Sequence, residues 1–208
     1  MKRTVRVNKA KTIIVELHGS DEYEYVVGKN VQLTLIVFIL SRSTSRVVIR
    51  LAGRMARANI VGLVVGSGAH SIALHTLQLH QAPETTSNLL VKSVLRDHAT
   101  FFYDGAIRVE KDAQKTDAYQ RNENLLLSAG AHAESKPALE ILANDVRCTH
   151  GATVATVSEE QLWYLASRGI SDRPGKKLLV DGFLYSAFAG ISDTILREDI
   201  KKRIWQTL

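Results

Sequence analysis

Apolar and polar residues alternate with a period of two through most of the first ~155 residues, the pattern of half-buried strands. Val5 and Val7 stand between charged neighbours. The runs Thr12-Ile-Ile-Val-Glu-Leu17, Tyr23-Glu-Tyr-Val-Val27, Val31-Gln-Leu-Thr-Leu-Ile-Val37 and Val47-Val-Ile-Arg-Leu51 follow. Each is rich in β-branched or aromatic side chains, which favour a pleated, partly buried surface. Gly19, Gly28, Asn30 and Gly53 punctuate them as turns. Short strands at this density, with no helical segment between them, exclude an alternating strand–helix fold.

A weak internal repeat runs through the strands. The segments starting at Ala69, Ala99 and Ala131 each open on a small residue and close on alternating apolar ones, and their starts lie 30 and 32 residues apart. An all-strand repeat of this length suggests the coils of a solenoid or stacked sheets. A right-handed parallel β-helix and an irregular β-sandwich both satisfy the periodicity. Without a hexapeptide repeat, the acyltransferase type of β-helix is disfavoured. The polar stretches Gln81–Ser87, Lys111–Asp117 and Tyr119–Asn124 read as loops or as polar corners of coils.

The pattern changes near residue 157. Ser158-Glu-Glu-Gln161 is a capping box, its acidic residues matching the helix dipole. Leu162, Leu165 and Ala166 form a helical stripe, and Gly169 is placed to end it. Ser171-Asp172 and Pro174 open a second helix that Gly190 closes. Ser192-Asp193 opens a third, with Leu196, Ile200, Ile204 and Leu208 on one ridge. The expected organisation is a β body over residues 1–156 and a three-helix appendage over 157–208.

Composition narrows the class. The chain has 208 residues, 45% of them hydrophobic and 23% charged, enough to bury a core without disulfide or metal. Its single cysteine cannot form an internal disulfide, which fits a reducing compartment. The longest apolar run, Leu33 to Leu40, is far short of the roughly 20 residues that span a bilayer, and no signal-type apolar region follows the basic start. A cytoplasmic protein is expected, with no membrane partner. The net charge of +6 is spread over scattered lysines and arginines with no aromatic-and-basic motif, so nucleic acid is not the expected partner.

The candidate chemistry lies in Ala143-Asn-Asp-Val-Arg-Cys-Thr-His-Gly-Ala-Thr-Val154. Cys148 and His150 are two apart, so in a strand they share a face. A thiolate beside an imidazole suits soft metals and sulfur. A functional Cys148 would have a lowered pKa with His150 as proton partner or second ligand; a structural one would be a small buried apolar residue. By the same parity His70 and His80 share a face that His75 opposes, which breaks a three-histidine site. His98 and His132 fall at comparable places in the repeat and could stack near His70. Glu134 and Glu140 read as solvated strand positions. No phosphate loop, nucleophile elbow or paired zinc cysteines occur, so ATP chemistry would need a partner. In the tail, Trp163, Phe183, Tyr185, Phe188 and Trp205 exceed what three short helices need for packing, and such aromatics are favoured as interface anchors.

The run from Leu139-Glu-Ile141 through Asn144-Asp-Val-Arg-Cys-Thr-His-Gly-Ala-Thr153 to Glu160-Gln-Leu-Trp-Tyr-Leu-Ala-Ser-Arg-Gly-Ile170 resembles the SufB/SufD family of iron–sulfur cluster assembly, the SufD branch in particular. Ser128–Leu139, Tyr119–Leu127 and Leu178–Phe183 add weaker matches, and the resemblance covers approximately residues 55 to 208. It implies a right-handed parallel β-helix with a C-terminal helical domain that holds a SufC-type ABC ATPase. It also implies pairing of β-helices between a SufB-type and a SufD-type chain. Cys148 and His150 would then lie at that interface, where a nascent cluster forms. Two features depart from the pattern. The chain lacks an N-terminal helical region, as a minimal version or a fragment would, and it lacks the additional cysteines of the SufB branch. One thiolate cannot hold a cluster alone; a SufB-type chain or a second copy would have to add ligands. The resulting expectation is a SufD-like accessory protein, not itself an enzyme and binding no nucleotide, that meets iron or a transient iron–sulfur cluster at Cys148 and His150. Two rivals stand beside it: a Cys148–His150 nucleophilic enzyme, and an interaction module with no cluster role.

Overall fold

The computed structural model describes residues 2–189, 191 and 193–208. Twelve strands precede three helices. The strands are β1 Lys2–Val7, β2 Lys11–Glu16, β3 Glu22–Val27, β4 Gln32–Ile39, β5 Ser43–Leu51, β6 Arg57–Gly66, β7 Ser71–His80, β8 Thr86–Leu95, β9 Thr100–Val109, β10 Thr116–Leu126, β11 His132–Ile141 and β12 Val146–Thr156. Odd-numbered strands form one sheet and even-numbered strands the other, each in simple order and parallel throughout. Successive strands therefore alternate between sheets. This is a parallel β-solenoid, which resolves the alternative that periodicity left open in favour of the β-helix.

The coils stack by register. Thr100 of β9 pairs with Ser71 of β7 and with His132 of β11. The repeat step is thus 29 residues and then 32, one residue shorter at the first step than the sequence spacing indicated. It also places His132 in line with Ser71, one position past His70, so the expected histidine stack does not form. His98 instead lies against Gly130, where a Cβ would collide with the His98 ring.

The corners repeat as well. Asn30, Met55, Glu84 and Lys115 each take a left-handed conformation, φ 56–60°, at the same turn of successive coils. The amide of each bonds a carbonyl one coil up: Asn30 to Arg54, Met55 to Pro83, Glu84 to Gln114 and Lys115 to Asp145.

Inward rows of the early coils are apolar and form the main core, with Leu33, Leu35, Ile49, Leu51 and Phe101 fully buried. Strands β6 and β8 show little alternation because both their faces are covered. The stretch Tyr119–Asn124 is not a loop: it is the middle of β10, with Gln120, Asn122 and Asn124 pointing inward and buried.

The three helices are α1 Glu159–Ser167, α2 Asp172–Ala189 and α3 Thr194–Thr207. Ser158 caps α1 by accepting from the Gln161 amide, and Gly169 ends that helix at φ +82°. Asp193 caps α3 by accepting from the Leu196 amide. Gly190 and Ser192, expected at the helix boundaries, lie outside the described residues. Helices α2 and α3 close the outer face of the even-numbered sheet: Val180, Leu184, Ala187, Phe188, Ile200 and Ile204 pack on Ile36, Phe38, Val61, Leu63, Val65 and Val94. Each large side chain buried there contributes on the order of 1.5–3 kcal/mol. Helix α1 has no buried residue and leans on α2, with Leu162 and Leu165 over Gly175.

Candidate functional site

Strand β12 is the last strand of its sheet and pairs only with β10. Its inward row continues that of β10, with Val146 over Thr116, Cys148 over Ala118, His150 over Gln120, Ala152 over Asn122 and Val154 over Asn124. On the facing sheet β11 is likewise terminal, its row holding Ala133, Ser135, Pro137, Leu139 and Ile141. These rows face the solenoid axis with no further coil above them. Leu139 and Val154 are exposed accordingly. Cys148 and His150 share this face, as their spacing predicted.

Cys148 is half-buried against the small cluster of Ile107, Val109, Ala113, Ala118 and Ala143. It stands on a column of small residues, Ala118, Ser87 and Ala58, which leaves room for its sulfur. Burial pushes the thiol pKa up; a hydrogen bond from the Ala118 backbone opposes this and the Asp117 charge adds to it. The lowered pKa expected of a functional Cys148 is therefore not present in this state, because low-dielectric packing outweighs the one stabilising bond. His150 is exposed beside it. Arg147, on the outward face, forms an ion pair with Asp117 that fastens β12 to β10. From inside, the Asn124 amide donates to the Thr153 carbonyl at 3.0 Å.

The other candidates fall elsewhere. His80 is buried, with its ring nitrogens 2.7 Å from the Thr85 hydroxyl and 2.8 Å from that of Ser87. Its burial pushes the pKa down to about 4. His75 lies on the outer face, 3.1 Å from Asp104. Glu134 and Glu140 are exposed and paired with Lys136 and Arg108. Among the described residues no three His, Cys, Asp or Glu side chains converge as a metal site.

The tail aromatics divide. Trp163 and Tyr185 are 72% and 73% exposed, with Tyr164 and Leu178 also exposed. Phe183 and Trp205 are half-buried against the core, the Trp205 indole donating to Asp181. Phe188 is 3% exposed, one of the residues that fasten the tail to the sheet, and so is unavailable to a partner. Tyr164 and Leu178 belong with the exposed set; the helical stripe alone did not separate them from core positions.

Comparison with known proteins supplies the family. The model of the SUF system FeS cluster assembly SufBD core domain matches residues 10–183. The chain belongs to the SufBD family. The match begins well before the motif-bearing region and ends inside α2. The iron–sulfur cluster assembly protein SufD of Escherichia coli is 36% identical over 129 residues, 62% of this chain and 30% of that protein. A SufBD family protein of Synechocystis is 33% identical over 151 residues, 72% of this chain and 32% of that protein. SufD of Plasmodium falciparum is 28% identical over 181 residues, 86% of this chain and 12% of that protein. The chain thus spans a third or less of the length of these SufBD relatives. Among the described residues no helix is long and apolar enough to cross a membrane.

Proposed function

We propose that this SufBD chain acts as a SufD-like component of an iron–sulfur cluster assembly complex. Its terminal coil pairs with a SufB-type chain or a second copy, and Cys148 and His150 offer ligands to the iron or cluster being assembled. The observation that carries this reading is the position of those two side chains on the inward row of a terminal strand whose outer edge has no partner among the described residues. A strand edge with free backbone groups invites a second chain. The opposite end differs in kind, since β1 carries Lys2, Arg3 and Arg6. A partner would cover Leu139, Leu142 and Val154 and bring the further soft ligands that one thiolate lacks.

The helical tail is the proposed seat of a SufC-type ATPase, through the exposed Trp163 and Tyr185 with Tyr164 and Leu178 around them. ATP chemistry belongs to that partner, and this chain is a scaffold, not an enzyme. The nucleophile reading is the weaker one. The thiol pKa is raised, and no hydrogen bond joins Cys148 to His150 among the described residues.

Cross-linking tests the interface directly, because Cys148 is the only cysteine. A short bis-maleimide, which adds one cysteine thiol across each of its double bonds, should join Cys148 to a cysteine of a SufB-type chain in a mixture, or to a second copy when the chain is alone. Absence of both products, with Cys148 still open to small alkylating agents, would contradict the proposal.

A further inference from the structure

The helical tail does not close completely on the solenoid. The turns that hold Asp97 and Ser128 lie on successive coils, the Asp97 amide donating to the Ser128 hydroxyl at 2.9 Å. Between those turns and helices α2 and α3 an open cavity of about 740 Å³ remains. That volume lies within the range of small-molecule sites. Leu127, Val180 and Trp205 line it, and all three belong to the apolar cluster that fastens the tail to the sheet. The apolar wall is therefore held in place by core packing.

The charge around this wall is unbalanced. Arg96, Arg173, Lys176 and Lys177 line the cavity with two carboxylates, Asp97 and Asp172. Both carboxylates are engaged. Asp97 accepts from the Gly68 amide at 2.8 Å and lies 3.5 Å from Arg96, and Asp172 lies 2.9 Å from Lys176. Arg173 and Lys177 have no carboxylate partner among the described residues. Lys177 lies instead over the Trp205 ring, 5.1 Å from its centre. Residues 173 and 177 are four apart on α2, so the two cations are neighbours on one helix face.

We propose that this cavity binds a small organic anion with an apolar body. The body lies against Leu127, Val180 and Trp205, and the acid group is shared by Arg173 and Lys177. A neutral molecule would leave the two cations without a counter-charge, and an inorganic anion would leave the apolar wall wet. The site uses no residue of the Cys148 and His150 face and does not rest on the cluster-assembly reading.

Fluorescence titration of the intact chain tests it with two probes. One is 8-anilinonaphthalene-1-sulfonate; the other is N-phenyl-1-naphthylamine, the same body without the sulfonate. The sulfonate should fill one saturable site per chain and bind more weakly as salt screens the cations. The double variant Arg173→Ala, Lys177→Ala should weaken it on the order of tenfold and leave the neutral probe unchanged. Both side chains are exposed, so that variant should keep its unfolding temperature. Sulfonate binding that the double variant leaves unchanged would overturn the proposal, as would a neutral probe held as tightly as the anion. Displacement by inorganic phosphate as readily as by naphthalene-1-sulfonate would show a plain anion patch and overturn the apolar half of the assignment. Should the double variant fail to fold, the salt dependence and the two-probe comparison on the unaltered chain decide.

Discussion

The ammonium of Lys92 lies 2.7 Å from the carboxylate of Glu123, in register across β8 and β10, and 2.5 Å from the Phe183 carbonyl of α2. Lys92 is 4% exposed and sits over the Phe183 ring. An ion pair buried between sheet and tail costs desolvation that only intact partners offset. Glu123 has a second cation in Arg121 at 2.8 Å; Lys92 has no second carboxylate among the described residues. Glu123→Leu should therefore destabilise the fold by about 3 kcal/mol, and Lys92→Met by about 1 kcal/mol or less. Urea unfolding of the two variants checks the order; equal losses would show that Arg121 does not compensate.

Stability should fall in mild acid because of His80. Burial lowers its folded pKa from 6.5 to about 4, so between those values the unfolded chain binds the extra proton. Its contribution is complete above about pH 6.5 and is lost as pH falls toward 4. The loss from this residue between pH 7.5 and pH 5 comes to about 2 kcal/mol. His80→Gln keeps a hydrogen-bonding side chain and removes the titration. It should flatten the pH dependence of the unfolding free energy by that amount, and an unchanged slope would place the titration elsewhere.

Gly105 is needed for space rather than for its backbone freedom. Gly105→Ala should cost on the order of 2 kcal/mol by driving a methyl group into the Tyr103 hydroxyl and Gln120 amide. Thermal unfolding of the variant gives the answer; a neutral effect would mean that the interior relaxes around it.

At Met55 the argument reverses. This exposed residue holds φ 60° with an unbranched side chain that cannot bond its own backbone. Met55→Gly should be neutral or stabilising by up to ~1 kcal/mol, since the left-handed conformation costs other residues roughly that much. A clear loss of stability in chemical denaturation would show that the Met55 side chain contributes packing.

How far the sequence could be read depended on which face of a strand was wet. Strands β3 and β5 bury one face more than the other, and their alternation is visible. Strand β10 hid because Gln120, Asn122 and Asn124 point inward while Tyr119, Arg121 and Glu123 point out, so both faces are polar. The shared face of Cys148 and His150 followed from strand parity alone. The raised thiol pKa did not, since it depends on Ile107, Val109 and Ala113 of the neighbouring coil, some 35 to 41 residues back in the sequence. Likewise Phe188 and Tyr185 look alike in the helical pattern, yet one faces the sheet and the other solvent.

Cys148 reactivity follows from the same burial. The thiol should react with iodoacetamide more slowly at neutral pH than a free cysteine, and its titration midpoint should lie above that of one. A rate matching an unfolded peptide would contradict the packing described for β12.

The central claim is that Cys148 and His150 serve cluster assembly. Its most direct test is anaerobic iron–sulfur assembly by the complete complex of this chain with a SufB-type protein and a SufC-type ATPase, followed by visible absorption. Cys148→Ala and His150→Ala should each leave the complex assembled and reduce cluster formation several-fold or more. Full cluster yield from the double variant, in an intact complex, would contradict the account.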